Sequence, residues 1–297
     1  MVQSLLQWFT VEHFFLNLRQ NHQHMKKIVL FVASLIASIQ WGYSLNPTRE
    51  YKEYPDKYNI KYEEKKAKTK DGLNLNVWVL PATVKTSKTV LFAHNGEGNM
   101  SDYIQRLSYF LSLGVNVIAF DYRGFGKSDD FKIDNSMYIY PEFIDDMNTM
   151  IDFCRSTYVG TLYVYGFGVG AGLAIGVAWH RPEVTKIIAD TPFMTLEGLE
   201  KKFAALGNGM KVPLAGYEKK YEPFYSIDNP KGKILTQLLI IIADKDWLMT
   251  VDEMNKFKKK NTKTSTEIFV IKGSDGKDNF TPDKTRYFSK ITPFIKE

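Results

Sequence analysis

A chain of 297 residues, 44% hydrophobic and 14% aromatic, is long enough to bury one large core, and a single α/β domain can absorb all of it. With 24% charged residues and no low-complexity or Pro/Gly-dominated tract, general disorder is excluded. The net charge of +6 is scattered and accompanies no recognition motif, which argues against nucleic acid as a partner. The lone cysteine, Cys154, rules out an intramolecular disulfide, and no Cys/His grouping has zinc-site spacing, so neither metal nor cofactor is expected.

Residues 1–24 precede Met25-Lys26-Lys27, a basic start followed by a largely apolar run from Ile28 to Ile39. That run is short for a membrane span, which takes about 20 residues. It ends near Gly42-Tyr43-Ser44, where small residues fit a cleavage point after Ser44. The sequence thus predicts an upstream mis-start over 1–24, a signal peptide over 25–44 and an exported chain, periplasmic or secreted. An uncleaved N-terminal anchor is the alternative; otherwise the membrane is met only transiently, through the signal segment.

Residues 45–59 form a polar, tyrosine-rich leader, and the α/β domain is expected over 60–297. Lys61 to Lys70, the turn Asp71-Gly72 and the alternating Leu73, Leu75, Val77 and Val79 predict an antiparallel hairpin. Beyond it, short continuous apolar runs alternate with longer helical stretches. The runs are Val90 to Ala93, Val115 to Phe120, Leu162 to Tyr165, Ile187 to Ala189, Leu238 to Ala243 and Ile268 to Ile271. Continuous apolar runs suit parallel strands covered on both faces. The fold class is therefore α/β, a mostly parallel sheet with an antiparallel N-terminal hairpin and helices on both faces.

Helix boundaries fit that pattern. Thr250-Val251-Asp252-Glu253 is a capping box, and Thr281-Pro282 reads as the cap and first position of a terminal helix. The stretch 194–236, rich in Gly, Pro and aromatic residues, reads equally as a small lid or as a crossover helix with long loops.

Three segments follow strand ends. They are His94-Asn95-Gly96-Glu97-Gly98-Asn99, Phe120-Asp121-Tyr122-Arg123-Gly124-Phe125-Gly126-Lys127-Ser128 and Gly166-Phe167-Gly168-Val169-Gly170. Read alone, the third, with Ala171 and the later Asp190, also meets a dinucleotide-binding fingerprint whose acidic residue lies ~20 residues on. That alternative leaves the other two segments unexplained.

Taken together, the segments resemble α/β-hydrolases of the serine aminopeptidase and lysophospholipase-like group, from about Lys61 to the C-terminus. The resemblance implies an α/β-hydrolase fold with a nucleophile at the centre of Gly-x-Ser-x-Gly. Here that centre is Gly168, which has no atom able to attack a carbonyl. It implies a triad acid at Asp246, with Asp244 competing, and a histidine in the loop after the last strand, where Gly276 stands. The five histidines are His13, His22, His24, His94 and His180, so none follows the acid. The oxyanion-type donors it implies are the N–H groups of Gly96, in the loop opened by His94, and of Val169 at a helix N-terminus.

The reading that follows is an exported pseudo-hydrolase without a working triad, whose pocket or surface binds a small acyl-type ligand or a protein partner. The alternatives are a hydrolase of esters or peptides using a non-serine mechanism, and a nucleotide-binding protein of the Rossmann kind.

Overall fold

The computed structural model describes Lys26, residues 44–207, 209–228 and 235–297. The expected mis-start over 1–24 and the signal segment over 25–44 therefore lie, except for Lys26 and Ser44, outside the described residues. The compact unit considered below runs from Tyr43 to Glu297.

Its strands, in chain order, are β1 Asn46–Pro47, β2 Glu63–Lys68, β3 Asn74–Leu80, β4 Lys88–Ala93, β5 Glu97–Gly98, β6 Asn116–Phe120, β7 Thr161–Phe167, β8 Val184–Asp190, β9 Gln237–Ala243 and β10 Ser265–Ile271. Eight of them make one sheet in the order β10-β9-β8-β7-β4-β6-β3-β2, while β1 and β5 pair separately. The predicted hairpin is present, with β2 antiparallel to β3 and Ala67 opposite Leu75. β3 runs antiparallel to β6 as well, and the neighbours from β6 to β10 are parallel. The charged sequence of β2, with Glu63, Glu64, Lys65, Lys66 and Lys68 exposed, sits at the sheet edge, where charge discourages pairing with another chain.

The helices are α1 Ile104–Ser112, α2 Phe143–Thr157, α3 Val169–Ala178, α4 Leu196–Leu206, α5 Pro223–Ser226, α6 Val251–Lys260 and α7 Lys284–Lys296. They divide the core in two. On β3, Val77 and Val79 join a cluster with Phe143, Met147 and Leu173, while Trp78 and Leu80 join another with Phe110, Tyr287 and Phe288. Each such side chain taken fully from water contributes about 1.5–3 kcal/mol. This two-sided demand is why the inner strands read as unbroken apolar runs.

Helix boundaries agree with the sequence at one end and differ at another. Thr250 and Glu253 form the expected capping box of α6. The terminal helix starts later than Thr281-Pro282 suggested. It begins at Lys284, and the Asp283 side chain accepts from the N–H of Arg286. Asp283, whose carboxylate caps more strongly than a threonine hydroxyl, sets the start.

Within 194–236, α4 and α5 form part of the crossover from β8 to β9. The segment lies against α3, where a Cβ on Gly176 would stand 1.9 Å from the carbonyl oxygen of Tyr221. The Phe224 N–H donates to the carbonyl of Met194, and Phe203 and Tyr217 are buried. Residues 45–59 are packed into the unit as well: Asn46 and Thr48 donate to the carbonyls of Gly96 and Gly98, and Leu45 is fully buried.

Candidate functional site

β7 ends at Phe167 and α3 begins at Val169, leaving Gly168 alone to make the turn, at φ 56° and ψ −118°. That corner suits a residue without a side chain. The flanking glycines answer to packing: a Cβ on Gly166 would stand 2.1 Å from the carbonyl oxygen of Gly170, and one on Gly170 would stand 2.3 Å from that of Ala93. The helix thus starts hard against the end of β4. Its first residue, Val169, has an N–H with no partner inside the helix.

The space above Gly168 is taken. A Cβ there would lie 2.8 Å from the Cβ of Asn95, closer than such atoms pack. Asn95 is itself fixed, its Oδ1 accepting from the Tyr103 hydroxyl and from the N–H of Glu97.

A second pair meets in the loops after β9 and β10. Gly276, at φ 88°, lies against Asp246, so that a Cβ on it would fall 2.1 Å from Asp246 Oδ2. Asp246 is 4% exposed, and its Oδ1 accepts from the N–H groups of Leu248 at 2.9 Å and Met249 at 2.8 Å. Asp244, the competing acid, is exposed and accepts from the N–H of Gly273 at 2.7 Å. Of the two aspartates, Asp246 is therefore the one packed on Gly276.

His94 is wholly buried among Tyr103, Tyr122 and Phe125. Its Nδ1 accepts from the N–H of Gly96 at 3.2 Å, and its Nε2 lies 3.8 Å from Asp121 Oδ1. Burial pushes the imidazole down to about 3, so the ring is neutral, with Nδ1 as acceptor. This corrects the expectation that the Gly96 N–H faces a ligand: the backbone folds it back onto His94 two residues earlier. Leu45 covers the same glycine, its Cδ2 only 2.4 Å from where a Gly96 Cβ would be.

The Asp121 to Ser128 segment is structural. Asp121 accepts from the N–H of Met100 at 2.7 Å and pairs with the Tyr51 hydroxyl, and burial raises its carboxyl to about 6. Arg123 bridges buried Asp146, at 2.9 Å from Nε, and Asp71, at 2.6 Å from Nη1. His180 closes the turn after α3, with Nε2 2.9 Å from the carbonyl of Lys220. Among the described residues no group of His, Cys, Asp or Glu is arranged to hold a metal.

Sequence reasoning missed a buried polar chain beside the turn. Arg106, 5% exposed, donates from Nη1 to the Tyr165 hydroxyl at 3.2 Å and from Nη2 to Asp278 at 2.9 Å. The Tyr165 and Tyr287 hydroxyls are 2.7 Å apart, and Tyr287 donates to Asp190 at 2.6 Å. Asn279 Nδ2 donates to the other oxygen of Asp190 at 2.8 Å. Burial raises the Asp190 carboxyl, opposed by the Arg106 charge and these hydrogen bonds. Of these residues only Asp190 entered a motif, the dinucleotide fingerprint, in another role; for the rest the one hint is an arginine beside the buried stripe Ile104, Leu107 and Phe110 of α1.

The same chain removes the dinucleotide reading. Asp190 is fully buried and occupied by Asn279, Tyr287 and Thr191, so it has no oxygen to offer a ribose, and Asn95 fills the space over Gly168.

Beside the turn lies a cavity of about 500 Å³ lined by Asn95, Tyr103, Arg106, Phe167, Lys277 and Phe280 among others. Lys52, Glu53 and Tyr58 of the leader segment also border it, whereas among the described residues none of its lining comes from 194–236.

A family model described as serine aminopeptidase, S33, matches residues 84–231. The uncharacterized protein YfhR of Salmonella typhi is 31% identical over 223 residues, covering 69% of this chain and 71% of that protein. YfhR of Escherichia coli O157:H7 is 27% identical over 200 residues, and the chain spans 64% of that relative's length. Among solved structures, the esterase Pf2001 of Pyrococcus furiosus superposes with a TM-score of 0.69 at 22% identity, over 85% of this chain and 97% of that one. At that identity the likeness speaks for the fold alone. The chain belongs to the α/β-hydrolase superfamily.

Proposed function

We propose that this chain is a hydrolase-fold protein that performs no serine-triad chemistry and instead binds a small ligand in the cavity beside Gly168. The observation that carries this reading is the contact between Asn95 and Gly168. Not only is a nucleophilic side chain missing at the turn; the volume it would use holds the Cβ of Asn95, 2.8 Å from a Cβ on Gly168. The opposite side of the triad is altered in the same sense, since no histidine follows His180 and Asp246 packs on Gly276. Without a nucleophile and base, oxyanion-type donors alone give rates far below an enzyme's.

Three residues define this state: Gly168 and Gly276 at the altered triad positions, and Asn95 over the turn. Fluorophosphonate labelling tests it, because the reagent reports an activated serine. The natural chain is expected to remain unlabelled, and labelling at any serine of the folded chain contradicts the reading.

The reading includes export. Its support is the basic Lys26-Lys27 pair, the apolar run to Ile39 and the small residues before Leu45. A chain beginning at Leu45 keeps the bond from that nitrogen to the carbonyl of Met137, 3.3 Å long, because an ammonium donates there as an amide does. Cell fractionation with N-terminal sequencing checks this; the expected product is exported and begins at Leu45, and an intracellular, uncleaved chain contradicts it.

A further inference from the structure

The cavity is built around a buried cation. Arg106 lies with its guanidinium 4.3 Å from the ring centre of Phe167 and 5.0 Å from that of Phe280. A guanidinium has five N–H donors in a planar fork. Here two hydrogen bonds join it to side chains, one to Tyr165 and one to Asp278, and no other group among the described residues takes up the remaining donors. Donors of this kind in a partly water-excluded space favour an anionic acceptor with two oxygens.

Three of the four carboxylates on the cavity wall are already matched. Asp102 accepts from Lys52 and from the N–H of Asn99, and Glu53 accepts from Lys57. Asp278 accepts from the N–H groups of Phe280 and Thr281 as well as from Arg106. Glu97, the fourth, is exposed at the rim, where burial and the like charge of Asp102 raise its carboxyl against the opposing charges of Lys52 and Lys277. Beside Phe167 and Phe280, a cationic ligand would have to displace Arg106 from Asp278 or compete with it for the same rings. A carboxylate finds donors that are unused. The volume of about 500 Å³ falls within the ~300–1,000 Å³ of small-molecule sites.

We infer that the cavity binds a small amphipathic carboxylate, with the acid group on Arg106 and the apolar body along Phe167 and Phe280. This rests on the ligand-binding reading above and names the ligand class for it.

The test is calorimetric titration of the purified chain with three probes of equal length: octanoate, octanol and octylammonium. Octanoate is expected to bind about tenfold or more tighter than octanol, the difference a charge-assisted hydrogen bond makes, and octylammonium weakest. Arg106→Lys should lower octanoate affinity while keeping the order of the probes, and Arg106→Met should make octanoate and octanol equal. If either variant fails to fold, the ranking on the natural chain still decides. Octanol or octylammonium binding as well as octanoate, or no probe binding, overturns the inference. Turnover of an octanoate ester by the same preparation would overturn the non-catalytic reading alone, leaving the ranking as a separate result.

Discussion

Arg106 and Asp190 are joined through two phenols: Arg106 donates to Tyr165, Tyr165 meets Tyr287 at 2.7 Å, and Tyr287 donates to Asp190 at 2.6 Å. The direction is set by the ends. Tyr287 gives its proton to the carboxylate and so accepts from Tyr165, whose lone pair accepts from the guanidinium. A buried cation and a buried anion thus share a continuous polar path between β7, β8, α1 and α7. Asn279 ties the loop of Gly276 to the same carboxylate.

Removing one end should cost more than interrupting the middle. Asp190→Ala leaves the donors of Tyr287 and Asn279 without their acceptor and removes one of the two carboxylates that balance Arg106, and is expected to destabilise by about 3–5 kcal/mol. Tyr287→Phe removes a neutral link and should cost about 1–3 kcal/mol. Urea denaturation of both variants checks the order; equal losses would mean that the chain of hydroxyls carries no charge balance.

Restoring two triad residues should not restore a triad. In Gly168→Ser with Gly276→His, each new Cβ meets an atom closer than packing allows, at 2.8 Å from Asn95 and 2.1 Å from Asp246. Both sites have positive φ, which adds strain of about 1–3 kcal/mol apiece. The double variant should melt lower and hydrolyse no ester. Adding Asn95→Gly opens the space above the serine and should yield the first measurable ester turnover and fluorophosphonate labelling of the series. Activity in the double variant equal to that in the triple would show that Asn95 is no obstacle.

The pH dependence has two opposed parts. His94 is held at about 3 against an ordinary 6.5, so its contribution to stability is complete above the ordinary value and is lost as pH falls from 6.5 toward 3. Asp121 and Asp146 are raised by burial from 3.8 to about 6 and act the other way. Their contribution is complete below 3.8 and is lost as pH rises through 6. Comparing His94→Gln with the natural chain isolates the first part: the natural chain's stability advantage should shrink between pH 6.5 and 3. A difference independent of pH would mean that the imidazole titrates normally.

Leu45 offers a test of the leader. It is fully buried on Gly96 and begins the ladder of Asn46 and Thr48 along β5. Leu45→Ala should destabilise the whole unit by about 2–5 kcal/mol, as for other buried leucines. A loss below the range of surface substitutions would make 45–59 an appendage.

The fold could be read from the sequence because its signals are local. The alternation of Leu73 to Val79 and the unbroken runs from Val90 onward each announce a strand with one partner surface or two. The turn at Gly168 could be read for a related reason, since Gly166 and Gly170 are required by backbone packing and survive the loss of the central residue. What could not be read depends on contacts between distant segments. The Asn95 Cβ over Gly168, the Gly96 N–H turned back to His94, and the chain from Arg106 to Asp190 join residues whose separation carries no periodicity. The start of the last helix differs because Thr281-Pro282 has the form of a cap, while Asp283, one residue beyond the proline, accepts from the Arg286 N–H and caps in its place.

Hydrolysis of short-chain and medium-chain p-nitrophenyl esters by the purified natural chain, beside an Asp246→Ala control, tests the central claim most directly. The account predicts that both proteins release nitrophenol at the same background rate. Turnover by the natural chain that Asp246→Ala abolishes would contradict it and place a working carboxylate in a site without a serine nucleophile.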